Sequence, residues 1–420
     1  MKTQQGYQWK KNVVAFMGSQ AISIFGSSLV QYAITWHITL TTQSGIFATL
    51  SIICGFVPTL LLSPFAGVWA DRYDRKRLII LADGGIALAT MVLAFLFMGG
   101  HESIWLLLGA MAVRALGGAV QQPCINAMLP DIVPTEHLTR VNGINSSLNS
   151  LITLASPMVA GALITFVPLS AIFFIDVATA AAAILVMLFL FRLPEKLAAQ
   201  KPEGQEQGGY FGEMKRGFAY VAKHAYLRNF FVFMTIFNFL AAPIAFLTPL
   251  QVTRNYGGEV WHLTALEMVF SVGMLIGGLT ISAWGGFKNR IHTMGAAALM
   301  MGIGVAVMGL PLPLWPYLIV MGIGGLVMPM VNTPAIVMLQ ERVEPEYMGR
   351  IFSLMTMISS SVMPLGMLLF GPLADVVRIE YLLLCTGVVM AVASLMIFRN
   401  KALIRAGHRL EKVEGGQRAA

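Results

Sequence analysis

Long apolar runs separated by short polar stretches make up nearly the whole chain. An α-helix needs roughly 20 apolar residues to cross the hydrocarbon core of a bilayer, and these runs reach that length. The pattern therefore predicts an all-α polytopic membrane protein with twelve transmembrane helices, over residues 13–39, 45–69, 77–98, 103–128, 141–167, 169–191, 227–252, 263–286, 291–312, 314–339, 351–374 and 380–398.

The composition agrees with this pattern. Hydrophobic residues make up 57% of the 420 residues and charged residues only 11%, whereas a soluble domain carries about 25% charged residues. The chain passes from a short polar start directly into an apolar run of spanning length, so we expect no cleavable signal peptide. The three cysteines lie in different apolar runs, which predicts neither a disulfide framework nor a metal site.

The net charge of +8 follows the predicted topology. When successive loops are assigned to alternate sides of the membrane, 25 of the 28 Lys and Arg residues fall on the side that holds both termini. The other side receives only Arg254 and Arg378, and Arg114 lies inside a predicted helix. Cytoplasmic loops of membrane proteins carry this excess of basic residues. We therefore expect both termini in the cytoplasm and no nucleic-acid partner.

The longest polar stretch divides the chain into two halves of six predicted helices. It is the connector 192–226, in which apolar and basic positions over 211–224 alternate as in an amphipathic helix on a membrane surface. The remaining divisions are an N-terminal half over 1–191, a C-terminal half over 227–398 and a basic cytoplasmic tail over 399–420.

The two halves resemble each other in sequence. Two matches are 215 residues apart and two are 211 apart. They pair Trp69 with Trp284, Arg75 with Arg290, Pro123 with Pro334, and Pro134 with Pro345. An even number of helices separates the matched loops, which indicates two six-helix repeats in parallel. Transporters built in this way bind substrate near the bilayer midplane, between the repeats.

One loop carries the most specific motif of the chain. Residues 67–77 read Gly-Val-Trp-Ala-Asp-Arg-Tyr-Asp-Arg-Lys-Arg between two apolar runs. This loop resembles the signature between helices 2 and 3 of the major facilitator superfamily of secondary transporters. The run 114–118, Arg-Ala-Leu-Gly-Gly, is similar to the second motif of that superfamily, and residues 155–161 match its antiporter motif in part. The whole chain resembles the drug-efflux branch, and within it the bacterial macrolide-efflux (Mef-type) proteins.

The resemblance implies a mode of action. It implies a transporter that exports amphipathic drugs with proton influx as the driving force, and that works as a monomer in the bacterial cytoplasmic membrane. It also implies that the signature loop latches the cytoplasmic side when that side is closed. In this hypothesis Arg72 and Arg75 reach acids at 341, 344 or 346 in the other half, and Gly67 allows a close helix contact. The latch residues are Gly67, Asp71, Arg72, Arg75 and Arg77.

Four ionisable residues lie within the apolar runs, namely Asp83, Arg114, Asp176 and Glu267. Each costs at least about 2.5–3.5 kcal/mol at a helix centre. Arg114 lies roughly 17 Å along its helix and must find an anion, a carbonyl or water. Glu267, about one turn into its helix, is the first candidate for a proton-carrying acid that works with Arg114, and the role of a gate acid exposed to external water fits it equally well. The resemblance places helices 3 and 6 at the periphery, so we expect structural pairing for Asp83 and Asp176.

Neutral polar and aromatic residues are frequent on the helices that the resemblance implies to line the cavity. Such groups suit a large amphipathic ligand, although hydrogen bonding between helices, worth about 0.6 kcal/mol each, explains any single one equally well. The candidates are Gln31, Tyr32 and Trp36 in helix 1, Gln121, Gln122 and Asn126 in helix 4, Asn145 and Asn149 in helix 5, Asn238 in helix 7, and Asn332 in helix 10.

Other functions stay open at this stage. The alternatives are export of a metabolite or siderophore, import of a small solute, and a membrane sensor or enzyme that transports nothing. The sequence contains no nucleotide-binding Gly-Lys-Ser/Thr loop and no His/Cys/Asp cluster, so we expect no cofactor, no metal and no enzymatic activity. The expected partners are the lipid bilayer, an amphipathic small molecule and protons.

Overall fold

The structure is a computed structural model that describes residues 9–191 and 210–408. The remainder of the connector, 192–209, and the tail beyond 408 lie outside the described residues. For a few residues only the backbone is described: Pro64, Val68, Asp71, Thr135, Thr139, 210–215 and Pro345.

The described residues form helices and no strand, and twelve of the helical spans are long and apolar enough to cross a membrane. The predicted fold class is therefore confirmed. The helices are α1 (Trp9–Thr42), α2 (Gly45–Arg72), α3 (Arg75–Met98), α4 (Ile104–Ile132), α5 (Leu138–Phe166), α6 (Leu169–Phe189), α7 (Tyr210–Lys223), α8 (Ala225–Phe246), α9 (Thr248–Tyr256), α10 (Val260–Trp284), α11 (Arg290–Met308), α12 (Leu314–Arg342), α13 (Pro345–Val376), α14 (Ile379–Ile397) and α15 (Lys401–Gly407).

Local sequence explains where several helices begin. The side chains of Ser44, Asp74 and Asn289 accept hydrogen bonds from backbone N–H groups in the first turns of α2, α3 and α11. These N–H groups have no partner inside the helix, and short polar side chains satisfy them. The loops that the apolar pattern predicts as breaks thus also contain the residues that start the next helix.

The seventh predicted segment, over 227–252, is divided into two helices. The first helix, α8, ends at Phe246, and α9 begins at Thr248. Pro249 has no N–H to donate to the carbonyl four residues earlier, so one hydrogen bond of a continuous helix is missing at this point. Proline is well tolerated in the first turn of a new helix, which fits its place in α9. The apolar pattern alone does not detect this break.

Two compact units make up the chain. One contains α1–α6 together with residues 252–264, and the other contains residues 207–251 and 265–420. The short segment 252–264 comes from the C-terminal half of the sequence, so the units differ there from the division predicted at residue 227. One contact that joins this segment to the first unit comes from Arg254, whose Nε and Nη2 atoms donate to the Gln43 carbonyl at 3.0 and 2.5 Å.

Packing inside the two units follows one scheme. In the first unit α3 packs against α4 and α6, and α1 packs against α5 and α6. In the second unit α11 packs against α12 and α14, and α8 packs against α13 and α14. These are the equivalent helices of each half, since α8 is the first spanning helix of the second half. The repeat found in the sequence is thus matched by equal helix pairings.

Large apolar side chains cover much of the outer surface of the described residues. Examples are Leu61, Phe65, Leu81, Phe166 and Val376, which are 66%, 60%, 71%, 84% and 86% exposed. Soluble monomers rarely expose such continuous apolar surface. This surface suits acyl chains, whereas the polar residues described next point into the first unit.

Candidate functional site

A buried ion pair lies inside the first unit. The Arg114 guanidinium on α4 forms a salt bridge with the Asp176 carboxylate on α6, and the two side chains are 6% and 0% exposed. The remaining positions of Asp176 are also satisfied. Ser27 donates to Oδ1 at 3.2 Å, and Thr90 donates to Oδ2 at 2.9 Å. The Nη2 atom of Arg114 donates to the Ser27 carbonyl at 2.9 Å.

This pairing corrects one expectation. Arg114 was expected to work first with Glu267, but its partner in the structure is Asp176. Asp176 is a structurally paired acid, as expected, and it is completely buried among side chains of α1, α3 and α4. Helical sequence spacing cannot show which helices are neighbours, and α4 and α6 both pack against α3.

A second buried acid, Asp83 on α3, has different surroundings. Its Oδ1 atom accepts hydrogen bonds from the Ser23 hydroxyl and from the Gln121 amide, each at 2.7 Å. Its Oδ2 atom accepts none from the described residues, although Asp83 is only 2% exposed. No positive group among those residues forms an ion pair with Asp83, so the expected structural ion pair is not seen. Neutral donors hold this acid in place.

Two glycines allow the helices around these acids to approach closely. A β-carbon at Gly26 of α1 would lie 1.9 Å from the Thr179 hydroxyl on α6. A β-carbon at Gly117 of α4 would lie 2.5 Å from Ile86 on α3. Any larger residue would push these helices apart, as expected where membrane helices pack through small residues. Both glycines thus help to bring the polar side chains of α1, α3, α4 and α6 within hydrogen-bond distance.

A cavity of about 440 Å³ borders the ion pair. Its polar wall includes Arg114 and four of the predicted cavity residues, namely Gln31, Tyr32, Gln121 and Gln122. Its apolar wall includes Ile24, Ile86 and Met111. Ligand sites commonly combine a mainly apolar lining with a few polar groups, so this wall can bind an amphipathic molecule.

The other predicted cavity residues of the first unit lie elsewhere. Trp36 is only 1% exposed and packs edge-on against Tyr32, so it supports the cavity wall without lining it. Asn126 is exposed and accepts a hydrogen bond from Gln122 at 3.3 Å. Asn145 and Asn149 line a smaller neighbouring pocket together with Gln122.

Three candidates belong to the second unit. Asn238 is 7% exposed and donates to the Met234 carbonyl of its own helix at 2.8 Å, so its amide is used locally. Asn332 on α12 and Glu267 on α10 are half-buried.

The signature loop forms its ion pair within its own unit. Arg75 at the start of α3 pairs with Asp131 at the end of α4 and donates to the Ala127 carbonyl at 3.0 Å. The contact of Arg75 with acids near 341–346, which belong to the other unit, stays a prediction. Within that unit, Glu341 pairs with Arg290, the repeat equivalent of Arg75.

The other loop residues have varied surroundings. Arg72 is exposed, and Arg77, 83% exposed, lies 3.5 Å from the Asp74 carboxylate. A β-carbon at Gly67 would meet none of the described atoms within 4 Å, and the close helix contact expected there when the cytoplasmic side is closed stays a prediction. The side chain of Asp71 lies outside the described residues.

Sequence reasoning missed four residues of these networks. Ser23, Ser27 and Thr90 were overlooked because a hydroxyl in an apolar helix usually bonds its own backbone. Asp131 was overlooked because it stands at a helix end, where an acid needs no explanation. The repeat could have revealed it, since Arg75 and Arg290 match and an acid follows each at the end of the next helix.

Together, twelve spanning helices in two similarly packed units, a buried ion pair and a polar cavity beside it define a membrane transporter. The chain matches the family model described as "Major Facilitator Superfamily" over residues 15–367, so it belongs to this superfamily.

Individual proteins extend the comparison. The chain is 32% identical to "Macrolide efflux protein A" of Streptococcus pyogenes over 384 residues, 90% of this chain and 93% of that protein, which confirms the resemblance noted in the sequence. It is 24% identical over 397 residues to "Multidrug efflux pump Tap" of Mycobacterium bovis (93% of each chain). It is 22% identical over 400 residues to "Staphyloferrin A transporter" of Staphylococcus aureus (92% and 96%).

A solved structure shows the same fold. The structure of a bacterial homologue of the iron transporter ferroportin aligns with a TM-score of 0.69 at 15% identity, over 92% of this chain and 98% of that one.

Proposed function

We propose that this transporter exports amphipathic drugs of the macrolide class from the bacterial cytoplasm, with proton influx as the driving force. The observation that carries the proposal is the 32% identity to a macrolide efflux protein over 90% of the chain. The cavity supports it, because Gln31, Gln121 and Gln122 offer neutral hydrogen-bonding groups beside apolar surface. A sugar acid or phosphate would favour a more cationic wall than one paired arginine.

The proposal also covers the membrane in which the protein lies and its orientation there. The distribution of basic residues favours a bacterial cytoplasmic membrane orientation in which both termini face the cytoplasm. In this orientation an inward proton gradient can supply energy for outward drug movement. The chain acts as a monomer, since each of its two units repeats one packing scheme and together they supply both halves of a transporter.

The test is a drug-susceptibility panel in an efflux-deficient bacterium that expresses the chain. We expect the inhibitory concentration of macrolides to rise at least fourfold, and the rise to vanish with a protonophore at a sublethal dose. Arg114→Ala, produced at the same level in the membrane, is the matched control and should give no protection. Unchanged susceptibility to every macrolide would refute the proposal.

A second candidate is siderophore export, favoured by the similarity to a staphyloferrin A transporter. It predicts that deletion of the chromosomal gene lowers the siderophore content of the medium under iron limitation. Drug export predicts no such change, so measuring secreted siderophore beside the susceptibility panel separates the two functions.

A further inference from the structure

The two buried acids of the first unit differ in charge balance. Asp176 is neutralised by Arg114 and accepts hydrogen bonds at both oxygens. Asp83 is just as deeply buried, yet its donors are the neutral groups of Ser23 and Gln121, and its Oδ2 atom accepts no hydrogen bond from the described residues. An isolated buried carboxylate is costly, and taking up a proton removes that cost.

The charged groups around Asp83 reinforce this difference. Asp176 on α6 carries the same charge and repels the Asp83 carboxylate. Arg114 on α4 bonds to Asp176 and Thr90 through its Nη1 atom and to the Ser27 carbonyl through its Nη2 atom. Its buried Nε atom has no partner among the described residues, so it donates no hydrogen bond to Asp83. From α1, Asp83 receives only the hydroxyl of Ser23. One fixed cation therefore faces two acids.

Asp83 is linked to the cavity by one side chain. The Gln121 amide donates to Asp83 and also to the side-chain Oε1 atom of Gln20 at 3.4 Å, and Gln121 forms part of the cavity wall. A molecule in the cavity that contacts Gln121 is thus separated from the Asp83 carboxylate by this one side chain. A positive charge on that molecule would stabilise the ionised carboxylate and oppose its protonation.

We propose that Asp83 is the proton-binding residue that couples proton movement to substrate transport, and that Arg114 and Asp176 form a permanently charged pair that positions it. A proton adds to the carboxylate at Oδ2 to form the neutral acid, and the same O–H bond breaks when the proton leaves on the other side of the transport cycle. Gln121 transmits substrate binding to this acid. The proposal rests on the proton-driven export proposed above.

The test uses the purified full-length protein in proteoliposomes with a tritiated macrolide and an internal pH dye. Asp83→Asn keeps size and one acceptor oxygen but cannot take up a proton. We expect it to retain exchange of macrolide for macrolide without a gradient and to lose about tenfold or more of gradient-driven transport. The macrolide-induced proton signal should disappear, and macrolide binding should no longer depend on pH.

The matched control is Glu102→Gln, which makes the same change from carboxylate to amide at an exposed position between α3 and α4. Glu102 takes no part in the hydrogen bonds that hold Asp83, so coupling should equal that of the wild type. Gradient-driven transport by Asp83→Asn would overturn the assignment. If the wild type exchanges macrolide but its transport does not depend on the proton gradient, proton coupling itself is refuted. If the wild type binds no macrolide, the proposed substrate is refuted.

A milder variant covers the case in which Asp83→Asn does not reach the membrane. Ser23→Ala removes one hydrogen bond to Oδ1 and leaves the carboxyl group in place. Because that bond favours the ionised form selectively, the pH midpoint of macrolide binding should be displaced from that of the wild type while transport persists. An unmoved midpoint would contradict the role of Asp83.

Discussion

Two charged side chains inside the first unit, Arg114 and Asp176, compensate each other. Thr90 and Ser27 form further hydrogen bonds with both of them, whereas the buried Nε atom of Arg114 has no partner among the described residues. Removing one partner of such a pair leaves a buried charge without compensation, whereas replacing both partners leaves none. The pair therefore affects the stability of the protein because its two charges cancel. The change in stability can be measured separately from transport.

We expect Asp176→Leu to lower the stability of the protein by about 3–5 kcal/mol, because Arg114 is left buried and unpaired. The double variant Arg114→Leu with Asp176→Leu should regain most of that loss but not transport. Thermal unfolding midpoints in detergent measure both effects. Arg77→Ala, at a side chain that is 83% exposed, is the control and should change stability by less than about 0.5 kcal/mol. Equal losses in the single and double variants would contradict a charge-balance role.

Helix α7 shows how an element can differ from its sequence pattern. The alternation over 211–224 predicts a helix lying on the membrane surface, and the structure forms α7 over Tyr210–Lys223. Its buried face, however, packs on the protein. Tyr220 is 8% exposed, and its ring stacks on Tyr347 of α13 with centroids 4.2 Å apart. Phe218 is one of the apolar residues in the alternating pattern over 211–224, and its side chain is 48% exposed.

This docking makes α7 sensitive to alkaline pH. Burial against α13 raises the pKa of Tyr220 above its ordinary value of 10.0. Docked α7 favours the neutral form of Tyr220. The free energy of docking therefore has its full value below pH 10 and decreases as the pH rises above that value. We expect the difference in tyrosinate absorbance between wild type and Tyr220→Phe to show a midpoint above 10.0.

A neutral-pH experiment tests the same contact. Tyr220→Ala removes the stacked ring, so hydrogen exchange in α7 should become faster, while Tyr220→Phe keeps the ring and most of the protection. Phe218→Ala serves as the control because that side chain is largely exposed. Equal exchange rates in Tyr220→Ala and wild type would show that the ring contact does not hold α7.

The whole molecule repeats one design in its two halves. Arg75 joins the start of α3 to the end of α4 through Asp131, and Arg290 joins the start of α11 to the end of α12 through Glu341. An even number of spanning helices separates these two places, so the predicted topology puts both ion pairs on one side of the membrane. We propose, from the distribution of basic residues, that this side is the cytoplasm.

Topology reporters test this assignment. A reporter fused after Phe191 should report a cytoplasmic location, and one fused after Asn255 should report an external one, because the broken seventh span, α8 with α9, separates them. A fusion after Gly286, beyond α10, should again be cytoplasmic and serves as the internal control. The reverse pattern would contradict the orientation derived from the basic residues.

The sequence by itself determined the membrane class, the twelve spans, the repeat and the superfamily. These features depend on properties that act locally along the chain, namely the length of apolar runs, the residues that cap helices and one specific loop. It also identified Arg114, Gln31, Tyr32, Gln121 and Gln122, since polar groups in apolar helices are few.

Only the tertiary structure decided which of these groups meet. Asp176 and not Glu267 faces Arg114, Trp36 is buried behind Tyr32, and Arg75 pairs with Asp131 within its own unit. Helical periodicity gives the face of a side chain but not the neighbouring helix. Partners 56 and 62 residues apart in the chain are brought together only by the packing of whole helices, which is why the balance between Asp83 and Asp176 could not be read from the sequence.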